Sequence, residues 1–165
     1  MVLSELQQDE LWKNWLSAEI RADYFAEMST WYARWHSWLI WSTLFFSAGT
    51  VAAIIGNLPA NYGWLIKPTL ALVTTALSLL SVVKQPQKRS AECADLHFKW
   101  NLLAAEYQLL WNHTYSDDAE LEFANLVRKE AEISKASLAI PNRVKVVEKW
   151  ERHVVEQRTG ELASA

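Results

Sequence analysis

Two rules of hydrophobic spacing alternate along this chain. At Leu11, Trp15, Ala18, Ala22, Phe25, Ser29 and Tyr32 the steps run four, three, four, three, the seam of a helix packed lengthwise on a partner. Beyond Arg34 the periodicity is lost, because nearly every position is apolar: Trp38 to Gly56 reads WLIWSTLFFSAGTVAAIIG, and Trp64 to Val83 reads WLIKPTLALVTTALSLLSVV. The seam then returns at Cys93, Leu96, Trp100, Leu103, Tyr107 and Leu110. A helix crosses a bilayer core of about 30 Å with about 20 apolar residues, and the two stretches supply 19 and 20. The pattern therefore predicts transmembrane helices at 38–56 and 64–83, joined by a short external loop at 57–63 whose Pro59, Gly63 and asparagines favour turns. Lys67-Pro68 falls in the first turn of the second span, where Pro is tolerated and Lys can snorkel. As core helices of a soluble globule, the two would need covering on all sides, more than roughly 115 other, mostly amphipathic residues supply.

The flanks read as cytoplasmic helices, residues 1–37 and 84–165. Ser4-Glu5-Leu6-Gln7 resembles a capping box, and no Pro or Gly follows until Gly49, so one helix is predicted from about Glu5 to Gly56, reaching roughly 50 Å beyond the membrane. Gln85-Pro86-Gln87 interrupts the chain after the second span. A hairpin joins the membrane ends of the two seams, so their simplest packing is antiparallel. Tyr115-Ser116-Asp117-Asp118 marks a turn and N-cap, with a helix expected over Ala119 to Ile140. Pro141-Asn142 should end it and open a last helix to about Thr159, with Gly160 as stop and residues 161–165 frayed. The predicted fold class is all-α: a two-transmembrane helical hairpin extended by cytoplasmic amphipathic, coiled-coil-like helices.

Charge sharpens the division. The 165 residues carry a net charge of −3, yet no Asp, Glu, Lys or Arg occurs in the 32 residues between Arg34 and Lys67, nor in the 16 between Lys67 and Lys84. Arg21, Arg34, Lys84, Lys88, Arg89 and Lys99 lie on one side of the hairpin and Lys67 alone on the other, so both termini are expected to face the cytoplasm. The balance offers nothing to duplex nucleic acid. Cys93 is the only cysteine, so no intrachain disulfide forms. The first apolar run starts near position 35 behind an acidic helical segment, unlike a secretory signal.

Enzyme chemistry finds little support. Phosphate-cradle, nucleophile-elbow and zincin motifs are absent, and four glycines leave little for a phosphate loop. Cys93 and His97 stand one turn apart without a second ligand pair, His36, His113 and His153 lack triad company, and Asp117 and Asp118 read as caps. Asn112-His113-Thr114 is a glycosylation sequon on the predicted cytoplasmic side, where it goes unused. No catalytic residue, metal or cofactor is expected.

Four features carry other possibilities. Thr43, Ser47 and Thr50 share a face of the first span, and Thr74, Ser78 and Ser81 a face of the second; such hydroxyls either line a water-filled path or bond backbone and neighbouring helices. About 80° round the first span, Ala48, Ala52 and Gly56 form a small-residue stripe for close helix approach. Two helices cannot enclose a pore, so a path requires a homo-oligomer, tetramer or larger. On the last helix Arg143, Lys145, Lys149 and Arg152 form a basic stripe, read either as a solvated face paired with Glu148, Glu151 and Glu156 or as an anion site. Trp31, Trp35, Trp38 and Trp41 fall within about 120° of one helix where the charged segment ends, an inner aromatic belt with Trp64 as its outer counterpart.

The long N-terminal helix, the W-Y-A-R-W approach to a two-span hairpin, the basic exit at Lys84, Lys88 and Arg89, and the helix H-F-K-W-N-L-L-A-A-E-Y-Q-L-L-W together resemble the SLATT family. These are two-transmembrane bacterial effector domains associated with SMODS nucleotidyltransferases and SLOG proteins. The resemblance spans nearly the whole chain through architecture and a diffuse pattern. It implies an inner-membrane effector of anti-phage defence that forms a pore or ion channel when a partner enzyme makes a cyclic or linear oligonucleotide signal, depolarising the cell. It assigns no ligand contacts; the basic stripe is a reading of the residues alone. The alternative is a membrane anchor or scaffold whose cytoplasmic helices recruit a partner protein.

Overall fold

Ser4 and Gln7 begin the first helix reciprocally: the Ser4 backbone N–H donates to Gln7 Oε1 at 2.9 Å, and the Gln7 N–H donates to Ser4 Oγ at 3.4 Å. This satisfies donors that a helix start leaves open. In the computed structural model this helix, α1, runs Glu5–Ile55, followed by α2 (Ala60–Lys84), α3 (Pro86–Asn112), α4 (Ala119–Ser137) and α5 (Val144–Ser164). The structure describes residues 3–55 and 60–164, with side chains at 3–52, 68–158 and 160; no strand occurs among them. Two compact units result: Met1–Ser29 with Ala91–Ala165, and Thr30–Ser90.

The first unit is a helical bundle built on the two seams. Leu11, Trp15, Ala18, Ala22 and Phe25 are buried on α1, as are Cys93, Leu96, Trp100, Leu103, Tyr107 and Leu110 on α3. Each large side chain taken from water contributes about 1.5–3 kcal/mol. The antiparallel register is set by His97 Nδ1 against the Ala22 carbonyl at 2.9 Å, Trp12 against Trp111 with centroids 5.4 Å apart, and the Leu3 N–H reaching the Thr114 carbonyl at 3.5 Å. α4 returns antiparallel to α3, with the Tyr107 hydroxyl donating to Glu130 at 2.7 Å and the Trp100 indole N–H to Ser137 Oγ at 3.1 Å. α5 lies against α1 through Lys149–Glu27 at 2.7 Å, Trp150–Glu27 at 2.7 Å, and an Arg158–Glu19 ion pair whose guanidinium also stacks on Trp15.

The second unit holds the outer part of α1 and all of α2. Leu39 is buried there, while Trp41, Phe45, Leu72, Val82 and Val83 are each more than two-thirds exposed. Among the described residues, the helical stretch from Pro68 is long and apolar enough to cross a membrane, and none of its apolar window is buried. α2 and α3 are separated at Gln85, whose φ of 43° is a left-handed conformation; the following Pro86 disfavours a right-handed helical residue there.

Several boundaries depart from the sequence pattern. α2 begins at Ala60, so Pro68 sits inside the helix and residues 60–63 are helical; residues 57–59 lie outside the described residues. α4 ends at Ser137, where the Leu138 N–H bonds the Lys135 carbonyl and the Ile140 N–H the Ser137 carbonyl. Asp118 holds the N-cap position but caps nothing with its side chain, its backbone already being in the right-handed region at φ −98° and ψ 0°. Gly160 does not stop α5, which starts at Val144 and continues to Ser164. No glycine among the described residues takes positive φ, and a helix tolerates an interior Gly at about 1 kcal/mol.

Candidate functional site

In the hairpin unit, Thr43 from α1 and Ser78 and Ser81 from α2 come together. With Leu39, Ile40 and Leu44 they line an open crevice of about 290 Å³. Ser47 is exposed, and Thr50 and Thr74 are half-buried. The hydroxyl protons are largely spent on their own helices: Thr50 donates to the Phe46 carbonyl at 2.8 Å, Thr74 to Leu70 at 2.9 Å and Ser78 to Thr74 at 2.9 Å. Their oxygens keep acceptor capacity. Ala48 and Ala52 are exposed, and nothing lies within 4 Å of where a Cβ on Gly49 would stand; Gly56 lies outside the described residues.

The aromatic cluster is only partly covered. Trp31 and Trp35 stack with centroids 5.5 Å apart, and Trp38 and Trp41 are exposed. The side chain of Trp64 lies outside the described residues.

The basic stripe is engaged in part. The Lys149 ammonium is paired with Glu27 and lies 4.8 Å over the Trp150 ring. Arg152 Nε donates to the Glu148 carbonyl at 3.4 Å, the Arg143 backbone N–H donates to the Tyr24 hydroxyl at 3.2 Å, and Lys145 is exposed. The Lys149 ammonium, together with the Trp150 N–H, holds the Glu27 carboxyl below its usual range against burial. On the same α1 face, burial and the negative charge of Glu19 push the Asp23 carboxyl up, with His97 and His153 pulling the other way. Burial and the bond to Glu130 likewise keep the Tyr107 hydroxyl protonated.

The bundle contains a feature that periodicity does not reveal, a cavity of about 490 Å³ at the meeting of α1, the end of α4 and the turn into α5. Phe25, Ile140 and Val147 supply apolar wall, and Arg21, Ser134 and Asn142 supply polar groups. The Arg21 guanidinium lies 4.7 Å over the Trp100 ring and donates one bond to Ser134 Oγ at 3.1 Å. Among the described residues no carboxylate pairs with it. A second, more open cavity of about 780 Å³ lies between α3 and α4, lined by mixed charges including Glu106, Asp118, Glu122, Arg128 and Lys129. Lys129 there is already bound by Glu106 at 2.8 Å. Cys93 is buried and in no disulfide, and no metal-ligating cluster occurs among the described residues.

No protein-family model matches the chain, and comparison with curated proteins and with solved structures returns no match.

Proposed function

We propose that this chain is a two-span membrane protein with both termini cytoplasmic, and that copies of it assemble into an ion-conducting effector opened by a signal acting on the helical bundle. The observation that carries the reading is the inverted character of the hairpin unit. Its large apolar side chains point outward while Thr43, Ser78 and Ser81 share a crevice, the arrangement expected where lipid is the solvent and polar groups turn to neighbouring helices or a water path. The absence of any Asp or Glu between Glu27 and Glu92 and the asymmetry of Lys and Arg about the spans support it further. The likeness to the SLATT family extends the proposal to a bacterial inner-membrane effector of anti-phage defence, with a nucleotide made by a partner enzyme as trigger. Ion flux from liposomes carrying the full chain, with and without candidate nucleotides, is the test. Flux that Thr43→Val, Ser78→Ala and Ser81→Ala together reduce is the expected result. Silence from a correctly inserted and assembled protein under every trigger overturns it.

The back-bonded hydroxyls of Thr50, Thr74 and Ser78 favour a second reading, a membrane anchor whose bundle recruits a partner protein. Under it, the same three substitutions leave activity unchanged.

A further inference from the structure

Arg21 is a half-buried cation whose charge no acid answers among the described residues. Its face rests on Trp100, a cation–π contact that steadies the guanidinium while leaving its edge donors open. One edge N–H goes to Ser134 Oγ, and the others face a cavity whose lining carries no Asp or Glu. The remaining inventory points the same way. The Ser134 hydroxyl accepts from Arg21 and has no acceptor for its own proton among the described residues, and the Asn142 amide at the rim is exposed and without a partner there. By contrast, Tyr24 is fully engaged, donating to the Pro141 carbonyl at 2.9 Å and accepting from the Arg143 N–H. Ser137 is engaged too, donating to the Ile133 carbonyl at 2.9 Å while accepting from Trp100. Three unspent donor groups, one of them charged, thus converge on a cavity of about 490 Å³ walled by Phe25, Ile140 and Val147. That volume falls within the range of small-molecule sites, which pair apolar walls with a few polar groups.

We infer that this cavity binds a small organic anion, its phosphate or carboxylate held by Arg21, Ser134 and Asn142 and its apolar or flat body laid against Phe25, Ile140 and Val147. An arginine fork matches both anions in a bidentate manner, and charge-assisted bonds are the strong ones. The site uses α1, α4 and the turn before α5 at once, so occupancy ties three segments of the bundle together. It stands whether or not the spans conduct, and it differs from the α5 stripe, whose Lys149 is already paired with Glu27.

The full chain in detergent, titrated with phenyl phosphate, tests this, with benzoate, inorganic phosphate and phenol as companions. Phenyl phosphate is expected to raise the unfolding midpoint and to slow amide hydrogen exchange in residues 20–25 and 134–142. Benzoate separates a carboxylate from a phosphate preference, inorganic phosphate binds more weakly for want of the apolar wall, and phenol has no effect. Arg21→Gln should weaken phenyl phosphate binding about tenfold or more, and Arg21→Lys by less. Should Arg21→Gln fail to fold, Asn142→Ala at the exposed rim and the exchange pattern of the wild type decide. No protection in those segments at millimolar phenyl phosphate, protection confined to residues 148–156, binding of phenol as tight as of phenyl phosphate, or unchanged affinity in Arg21→Gln each overturns the inference.

Discussion

In the bundle, Leu11, Trp100 and Tyr107 are buried and most charged side chains are exposed; in the second unit, Trp41, Phe45, Leu72 and Val83 face outward while Thr43, Ser78 and Ser81 share a crevice. Both units are antiparallel helices of the same chain, and α1 contributes to both. The difference lies in the surroundings each sequence is written for. Helices whose apolar residues recur along a single seam bury that seam against each other. Helices that are apolar all round have no single face marked by spacing, and much of their apolar surface stays exposed in the second unit.

The largest effect that would sharpen this contrast is expected at Trp100. It is fully buried, supports Arg21 and donates to Ser137, so Trp100→Ala should cost about 3–5 kcal/mol, read as a lowered denaturation midpoint of the purified chain. A loss under about 1 kcal/mol would mean that the seam is not the core of the bundle. Next comes a pair inside the hairpin unit. Leu39→Ala, at a buried position, should cost about 2–5 kcal/mol, whereas Phe45→Ala, three-quarters exposed, should stay within about 0.5 kcal/mol in detergent. Comparable losses at both would show that Phe45 is covered in solution and would break the inverted pattern.

The smallest effects concern pH and fall on the bundle alone, because the unit Thr30–Ser90 contains no Asp or Glu. Glu27 sits below its usual value of 4.5, so its contribution is present above that value and lost as pH falls through the lower folded value. Glu27→Gln should therefore destabilise at pH 7, with the difference shrinking as the medium is acidified below 4.5. Asp23 is raised above 3.8, chiefly by burial, so its ionised form weakens the fold at neutral pH and stability returns as pH falls through the raised value. Asp23→Asn should stabilise at pH 7 and make little difference below 3.8. Thermal unfolding across this range decides, and changes of the same sign at pH 7 for the two variants contradict the assignments.

Periodicity was enough to find both seams, and every seam position is buried except Ser29, which is half-buried beside a buried Met28, because a four-three repeat leaves a helix only one face to hide. The capping box was legible for the same local reason, since Ser4 and Gln7 meet within one turn. Gly160 misled, because a glycine signals a helix end only where the chain needs a left-handed residue, and none is needed there. The basic stripe was visible as spacing, but the partner of Lys149 is Glu27, 122 residues away, and no local pattern connects them. Arg21 went unremarked as a site residue for the opposite reason. On α1 alone it is one charge among several, and what distinguishes it is that no carboxylate among the described residues pairs with it or lines its cavity once α4 has folded back.

The order of hydrophobic and polar residues thus determined by itself roughly where helices form, which seams they hide and which stretches are apolar all round, since these follow from 3.6 residues per turn and the aversion of apolar groups to water. Which charges are neutralised, which hydroxyls keep a free proton and where a cavity remains were decided only by the tertiary structure. Those properties depend on groups brought together from distant positions by packing, and sequence spacing carries no record of them.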